Sequence, residues 1–233
     1  MPTAHPRARL VHGTTAAVAA FGVLVETVIT ALGWYPEEQP EGHLYGLNPA
    51  GWAGVGPRLA DFFSYFTIWS NILVAVVAVM LALDPDRSTR VRRALRLSSL
   101  LMITVTALVY CLVLAPSANL TGWTLATTPL VHVLTPLVTV AGFVVSGPRG
   151  WIRRGTLVDA LAIPAVWVVF MLVRGVVTGV YPYAFADVAT HGYAAVAVNI
   201  AGVLALAFVL AGAFWALDRA LTRRAHPRGR HAR

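Results

Sequence analysis

Long apolar runs broken by short polar segments organise this chain. Six runs approach the roughly 20 residues needed to cross a bilayer, at about 12–33, 62–83, 94–115, 127–146, 157–180 and 195–217. Backbone groups in lipid must be satisfied within their own segment, so runs of this kind are helices. The pattern predicts an all-α, polytopic membrane protein with six transmembrane helices. A membrane domain over 12–217 is flanked by a tail over 1–11 and a basic tail over 218–233. The first run is too long for a signal-peptide core, contains Glu26, and ends in Gly33-Trp34-Tyr35-Pro36 with no small-residue cleavage site, so it is read as helix 1. The longest connection, 34–61, carries Glu37, Glu38 and Glu41, with Trp34, Tyr35 and Trp52 suited to an interfacial aromatic belt. The 181–194 connection has the same interfacial character, and the tail from His226 is expected to be disordered.

Composition agrees with the pattern. Of 233 residues, 58% are hydrophobic and 12% charged, about half the charge of an ordinary soluble domain. The net charge of +8 would suit a nucleic-acid partner, but the positions of the basic residues exclude it. All are arginine. Arg7 and Arg9, the cluster from Arg87 to Arg96, Arg149, Arg153 and Arg154, and the C-terminal group from Arg219 onward all fall on one side. Arg58 falls on the other, and Arg174 lies within a run. The positive-inside rule then places both termini in the cytoplasm, as expected of a multi-pass cell-membrane protein. Anionic lipid headgroups are the natural partners of the basic loops. The arginine-only, Ala- and Val-rich composition suits a GC-rich bacterium. The single Cys111 excludes an intramolecular disulfide and a multi-cysteine metal site.

Candidate chemistry comes from polar residues inside the runs. His132 is an ionisable group deep in an apolar segment, where it is costly and marks a site; the other six histidines fall in tails, loops or segment ends. With alternating helix directions, Glu26, Thr67, Tyr110, His132, Arg174 and Asn199 each fall four to seven residues from the outer end of their helix, or roughly 6–10 Å deep. One polar group per helix at one depth predicts a polar cavity in the outer half of the bundle. Thr128, His132, Thr135 and Thr139 recur at helical spacing, as do Ser64, Thr67 and Asn71, with Asp61 near the outer edge of that face. Pro136 cannot donate to the carbonyl of His132, so a kink and a free carbonyl are expected there. Glu26 and Arg174 either pair with each other, fixing helix 1 against helix 5, or serve a ligand, Arg174 receiving a substrate carboxylate.

A histidine facing a threonine hydroxyl is a nucleophile–base arrangement. The expected chemistry is acyl transfer to Thr67 with His132 as base, then hydrolysis. Asn71, Tyr110 and Arg174 are the oxyanion candidates, while Glu26 and Asn199 are further substrate-binding candidates. A bis-histidine haem needs a second intramembrane histidine, and a zinc hydrolase needs further protein ligands near His132. Neither is present in the sequence, so no metal or cofactor is expected. Rhomboid-type Gly-x-Ser-Gly and the paired aspartates of intramembrane aspartyl proteases are missing too. The competing class is a non-catalytic lipid-binding protein, or a proton-coupled transporter using Glu26, His132 and Arg174 as a relay.

Three segments carry a resemblance: Phe62-Phe63-Ser64-Tyr65-Phe66-Thr67-Ile68-Trp69-Ser70-Asn71, then Gly122-Trp123 followed by His132 and Pro136, and Trp167 through Thr178-Gly179-Val180-Tyr181-Pro182-Tyr183-Ala184-Phe185-Ala186-Asp187. In order and spacing they resemble the androgen-induced and androgen-dependent TFPI-regulating membrane proteins and the related bacterial six-helix group. The resemblance implies a membrane threonine hydrolase acting on fatty acid esters of hydroxy fatty acids, with its threonine at Thr67 and its histidine at His132. A membrane lipid or fatty-acyl ester is then the implied substrate. Ser70-Asn71 after the threonine follows the bacterial manner, and the first outer loop is longer than in the animal members, which leaves the native ester open.

Overall fold

A computed structural model describes residues 6–35 and 42–225. The expectations for Glu37, Glu38, Glu41 and the tail from His226 lie outside the described residues. Among the described residues the fold is all-α, and six helices are long and apolar enough to cross a membrane: Pro6–Leu32, Phe66–Leu83, Arg90–Ser117, Thr124–Ser146, Arg154–Thr178 and Val188–Arg224.

The elements are α1 (Pro6–Leu32), α2 (Val55–Phe62), α3 (Phe66–Leu83), α4 (Arg90–Val109), α5 (Thr124–Pro129), α6 (Thr135–Ser146), α7 (Arg154–Asp159), α8 (Ala162–Thr178) and α9 (Val188–Ala225). Several boundaries correct the sequence expectation. Helix begins at Pro6, so most of the tail assigned to 1–11 is helical; proline is at home in a first turn, where its missing N–H has no partner to lose. The helix expected over 62–83 is two helices separated by Phe63, Ser64 and Tyr65. The last helix runs through the tail assigned to start at 218, and its first turn is set off by Gly192 at φ 75°, ψ 161°.

The outside of the bundle is apolar. On α8, Val166, Val169, Val173, Val176 and Val177 are all exposed and share one face by helical spacing. A stripe of this length suits lipid rather than water. The interior holds buried Ser70, Asn71, Thr106, Thr135 and Asp218 among its aliphatic side chains.

Alternation of the helices gathers the basic loops at one end, where three polar groups are buried. Arg96 donates to the Pro148 carbonyl at 2.5 Å and lies over the Phe143 and Trp151 rings. It fastens the 147–152 loop instead of facing headgroups. His12 is likewise buried, not a segment-end residue in water. Asp218, fully buried, accepts from the amides of Gly150 and Ile152 at 3.2 and 3.1 Å.

The opposite end is capped by two loops held together at main-chain level. Tyr181 N–H donates to the His43 carbonyl at 2.7 Å, and Tyr45 N–H donates to the Tyr181 carbonyl at 3.1 Å. Arg58 staples this cap to α1 by donating to the carbonyls of Thr30 and Ala31 at 3.0 and 2.8 Å, and to that of Pro49 at 3.0 Å. Gly54 lies where a Cβ would overlap the Pro49 carbonyl oxygen and the Arg58 guanidinium. Gly54→Ala is therefore expected to destabilise the protein by about 2 kcal/mol, in the range for overpacked sites. An unchanged melting temperature in detergent would contradict this.

Candidate active site

Thr67 is the second residue of α3, not a mid-helix position. Tyr65 adopts an extended conformation (φ −71°, ψ 137°) and ends the preceding break, so α3 starts abruptly at Phe66. The first amides of a helix lack intrahelical partners. Here the Phe66 N–H donates to the Tyr183 hydroxyl at 3.1 Å. Thr67, 9% exposed, places its Oγ1 3.2 Å from His132 Nε2. His132 Nδ1 lies 3.1 Å from the Thr128 carbonyl. A carbonyl only accepts, so Nδ1 carries the proton and Nε2 faces the hydroxyl as a free lone pair. A main-chain carbonyl thus does the orienting that a carboxylate does in many triads.

Two π-helical turns aim the rings of this site. One spans Tyr110–Leu114 after α4, the other Leu130–Leu134 between α5 and α6. Each is followed by a residue and then a proline, Ala115-Pro116 and Thr135-Pro136. In each, the residue before proline donates five residues back, Ala115 to Tyr110 and Thr135 to Leu130. The wider turn lies immediately before Pro136, where a kink was expected, and frees a further carbonyl. Thr135 N–H bonds Leu130 and Pro136 has no N–H, so Val131 loses its usual donors. The stacked rings of Tyr110 and His132 result, with centroids 4.3 Å apart and planes 29° apart.

Asn71 takes the orphaned carbonyl. Its Nδ2 donates to the Thr67 carbonyl at 2.8 Å and to the Val131 carbonyl at 3.2 Å. Both amide hydrogens are committed, which removes Asn71 as an oxyanion donor and makes it the clamp between the segments that carry Thr67 and His132. If the Thr67–His132 pair is a hydrolytic site, Asn71→Leu is expected to lower its activity about tenfold or more by misplacing Thr67 against His132. Full activity in that variant would show that the clamp is dispensable.

The single polar layer expected at one depth divides into separate clusters. Glu26 does not meet Arg174: it accepts from the Tyr35 hydroxyl, which also lies 3.4 Å from Thr127 Oγ1. The reason is packing order, since α1 lies against α3 and α6. Arg174 donates to Asp61 Oδ1 at 2.6 Å, with its guanidinium 4.2 Å from the Tyr45 ring centroid. Asn48 donates to the other Asp61 oxygen at 2.8 Å. Asn199 is exposed and donates to the Phe185 carbonyl at 2.8 Å. Of the expected layer, Thr67, His132 and Tyr110 are brought together.

Thr67 and His132 open into a cavity of about 80 Å³. Its walls follow α4 from Leu101 to Val109, α8 from Pro164 to Met171 and α9 from Ile200 to Ala207. At 1.5 Å per residue these stretches run roughly 10–12 Å along the bundle. The lining is overwhelmingly apolar, unlike the polar cavity expected. The α4, α8 and α9 walls extend from the level of Thr67 and His132 toward the arginine-rich end.

Tyr183 escaped the sequence reading as a site residue, although it lies in the 181–187 segment. Its partner is an amide that is free only because α3 starts at Phe66, and no local pattern announces that start. Burial pushes the Tyr183 phenol up to about 12. The π turns did leave a trace, a proline six residues after Tyr110 and another six after Leu130. No family model matches the chain, and neither a curated protein nor a solved structure matches it.

Proposed function

We propose that this protein is an integral-membrane hydrolase of lipid esters, with Thr67 as nucleophile and His132 as general base. The observation that carries the proposal is the 3.2 Å approach of Thr67 Oγ1 to His132 Nε2, with Nδ1 held by the Thr128 carbonyl. In the first half-reaction the Thr67 oxygen bonds to the ester carbonyl carbon and its proton passes to Nε2. The tetrahedral intermediate collapses, the alkoxide leaves with the proton from His132, and an acyl group remains on Thr67. Water then attacks, gives its proton to Nε2, and releases the carboxylic acid as Thr67 recovers its hydroxyl proton. The apolar cavity beside the dyad supports an acyl chain as the bound group. The resemblance to the androgen-induced and androgen-dependent TFPI-regulating proteins supports the same chemistry. The arginine asymmetry supports cytoplasmic termini and a dyad in the outer half of a bacterial cell membrane.

An active-site-directed fluorophosphonate tests the proposal. Purified protein in detergent is expected to be labelled at Thr67 and to hydrolyse a 4-nitrophenyl long-chain ester. Resistance to the probe, with ester hydrolysis unchanged in Thr67→Ala, defeats the hydrolase assignment. Selective transport in sealed vesicles, lost in His132→Ala, would point to the transporter class instead. The separation of Glu26, His132 and Arg174 into different clusters already counts against a continuous relay.

A further inference from the structure

We propose that the Tyr183 phenol is the oxyanion donor of the Thr67–His132 site. The inference rests on the hydrolase assignment above. Three observations converge on this side chain. Its ring stands in the wall of the cavity into which Thr67 and His132 open. Its oxygen accepts from the Phe66 amide, the residue before Thr67, at 3.1 Å. Its ring is fixed by Phe185, stacked at 5.2 Å and 4° between planes, and by Tyr65 and Trp167 on other sides.

The hydrogen balance gives the role. A phenol has one proton and can accept as well as donate. The Phe66 amide, at the start of α3, occupies the accepting side, which polarises the O–H and strengthens it as a donor. Tyr183 and Thr67 line the same cavity, so the phenol proton is available to an ester carbonyl seated there when Oγ1 attacks. When the carbonyl π pair moves onto oxygen, the O–H donates to the developing charge without being transferred, and the positive end of α3 lies behind it.

The other candidates are committed elsewhere. Asn71 spends its amide hydrogens on the Thr67 and Val131 carbonyls. Arg174 is held by Asp61 under the outer cap. Tyr110 stacks on His132 and is not part of the cavity wall.

The test uses full-length protein, a 4-nitrophenyl decanoate substrate, and two inhibitors: a long-chain trifluoromethyl ketone, which forms a tetrahedral adduct, and the matching non-hydrolysable ether. Tyr183→Phe is expected to lower kcat about 10²-fold, the scale of one oxyanion donor. KM should stay within about twofold, because the bond strengthens only in the transition state. The ketone should weaken by a similar factor while the ether binds as before. Wild-type kcat in Tyr183→Phe, with Thr67→Ala inactive, overturns the oxyanion role and leaves the hydrolase assignment standing. Equal weakening of ketone and ether binding also overturns it, because the tyrosine would then be only structural. Activity that persists in Thr67→Ala defeats the hydrolase assignment itself. If Tyr183→Phe does not fold, fluorotyrosines at the same position keep the shape while changing phenol acidity. A kcat that rises with donor strength supports the role; a kcat independent of it refutes it.

Discussion

Thr67→Ala is expected to lower ester hydrolysis by at least about 10³-fold, as is His132→Ala, because neither half of the proposed nucleophile–base pair works alone. The double variant should be scarcely worse than either single one. The loss is chemical rather than structural. Thr67 contributes its main-chain carbonyl to the Asn71 clamp, and alanine keeps that carbonyl. Alanine also suits the helix, so the start of α3 is preserved. Thr67→Ser keeps the hydroxyl and should retain measurable turnover, since only the methyl that fixes the rotamer is removed. Steady-state rates with a chromogenic ester, alongside melting temperatures, decide the matter. Inactive protein that also melts much earlier would point to a structural role for the hydroxyl.

The largest stability effect is expected at Asp61. Asp61→Ala leaves the Arg174 guanidinium half-buried under the cap without its 2.6 Å partner. Breaking a pair of this kind by removing one partner costs about 3 kcal/mol, more than the intact pair contributes, because the remaining charge is desolvated and unpaired. Asn48 loses its acceptor at the same time. Asp61→Ala/Arg174→Leu should therefore be more stable than Asp61→Ala alone, although it has one more substitution. Thermal unfolding of the three proteins in one detergent checks this ordering. The opposite ordering would mean that Arg174 finds another partner or water when Asp61 is gone.

These two effects differ in how far they could be read along the chain. Thr67 and His132 stood out because a hydroxyl and an imidazole at matching depth in apolar segments are costly unless used. The Asp61–Arg174 pair did not: Asp61 sits at a helix edge, and the countercharge at matching depth inside the runs was Glu26. Choosing between Asp61 and Glu26 requires knowing that α1 packs against α3 and α6. Asn71 was recognised as polar and well placed, but its role as a clamp depends on a carbonyl freed by a π turn on another helix.

The chain by itself determined the architecture. Apolar runs of spanning length must become helices in lipid, where main-chain groups have no water to bond, and charged arginines must cluster outside those runs. It also marked Thr67 and His132 as expensive residues. The tertiary structure decided what those residues meet. Helix starts, π turns and packing order each depend on contacts between distant segments: Phe66 with Tyr183, Asn71 with Val131, and Arg174 with Asp61. Hydrophobic periodicity reports how deep a side chain lies and which face it shares. It says nothing of the partner across the bundle, and acid–base chemistry is set by that partner at hydrogen-bond distance.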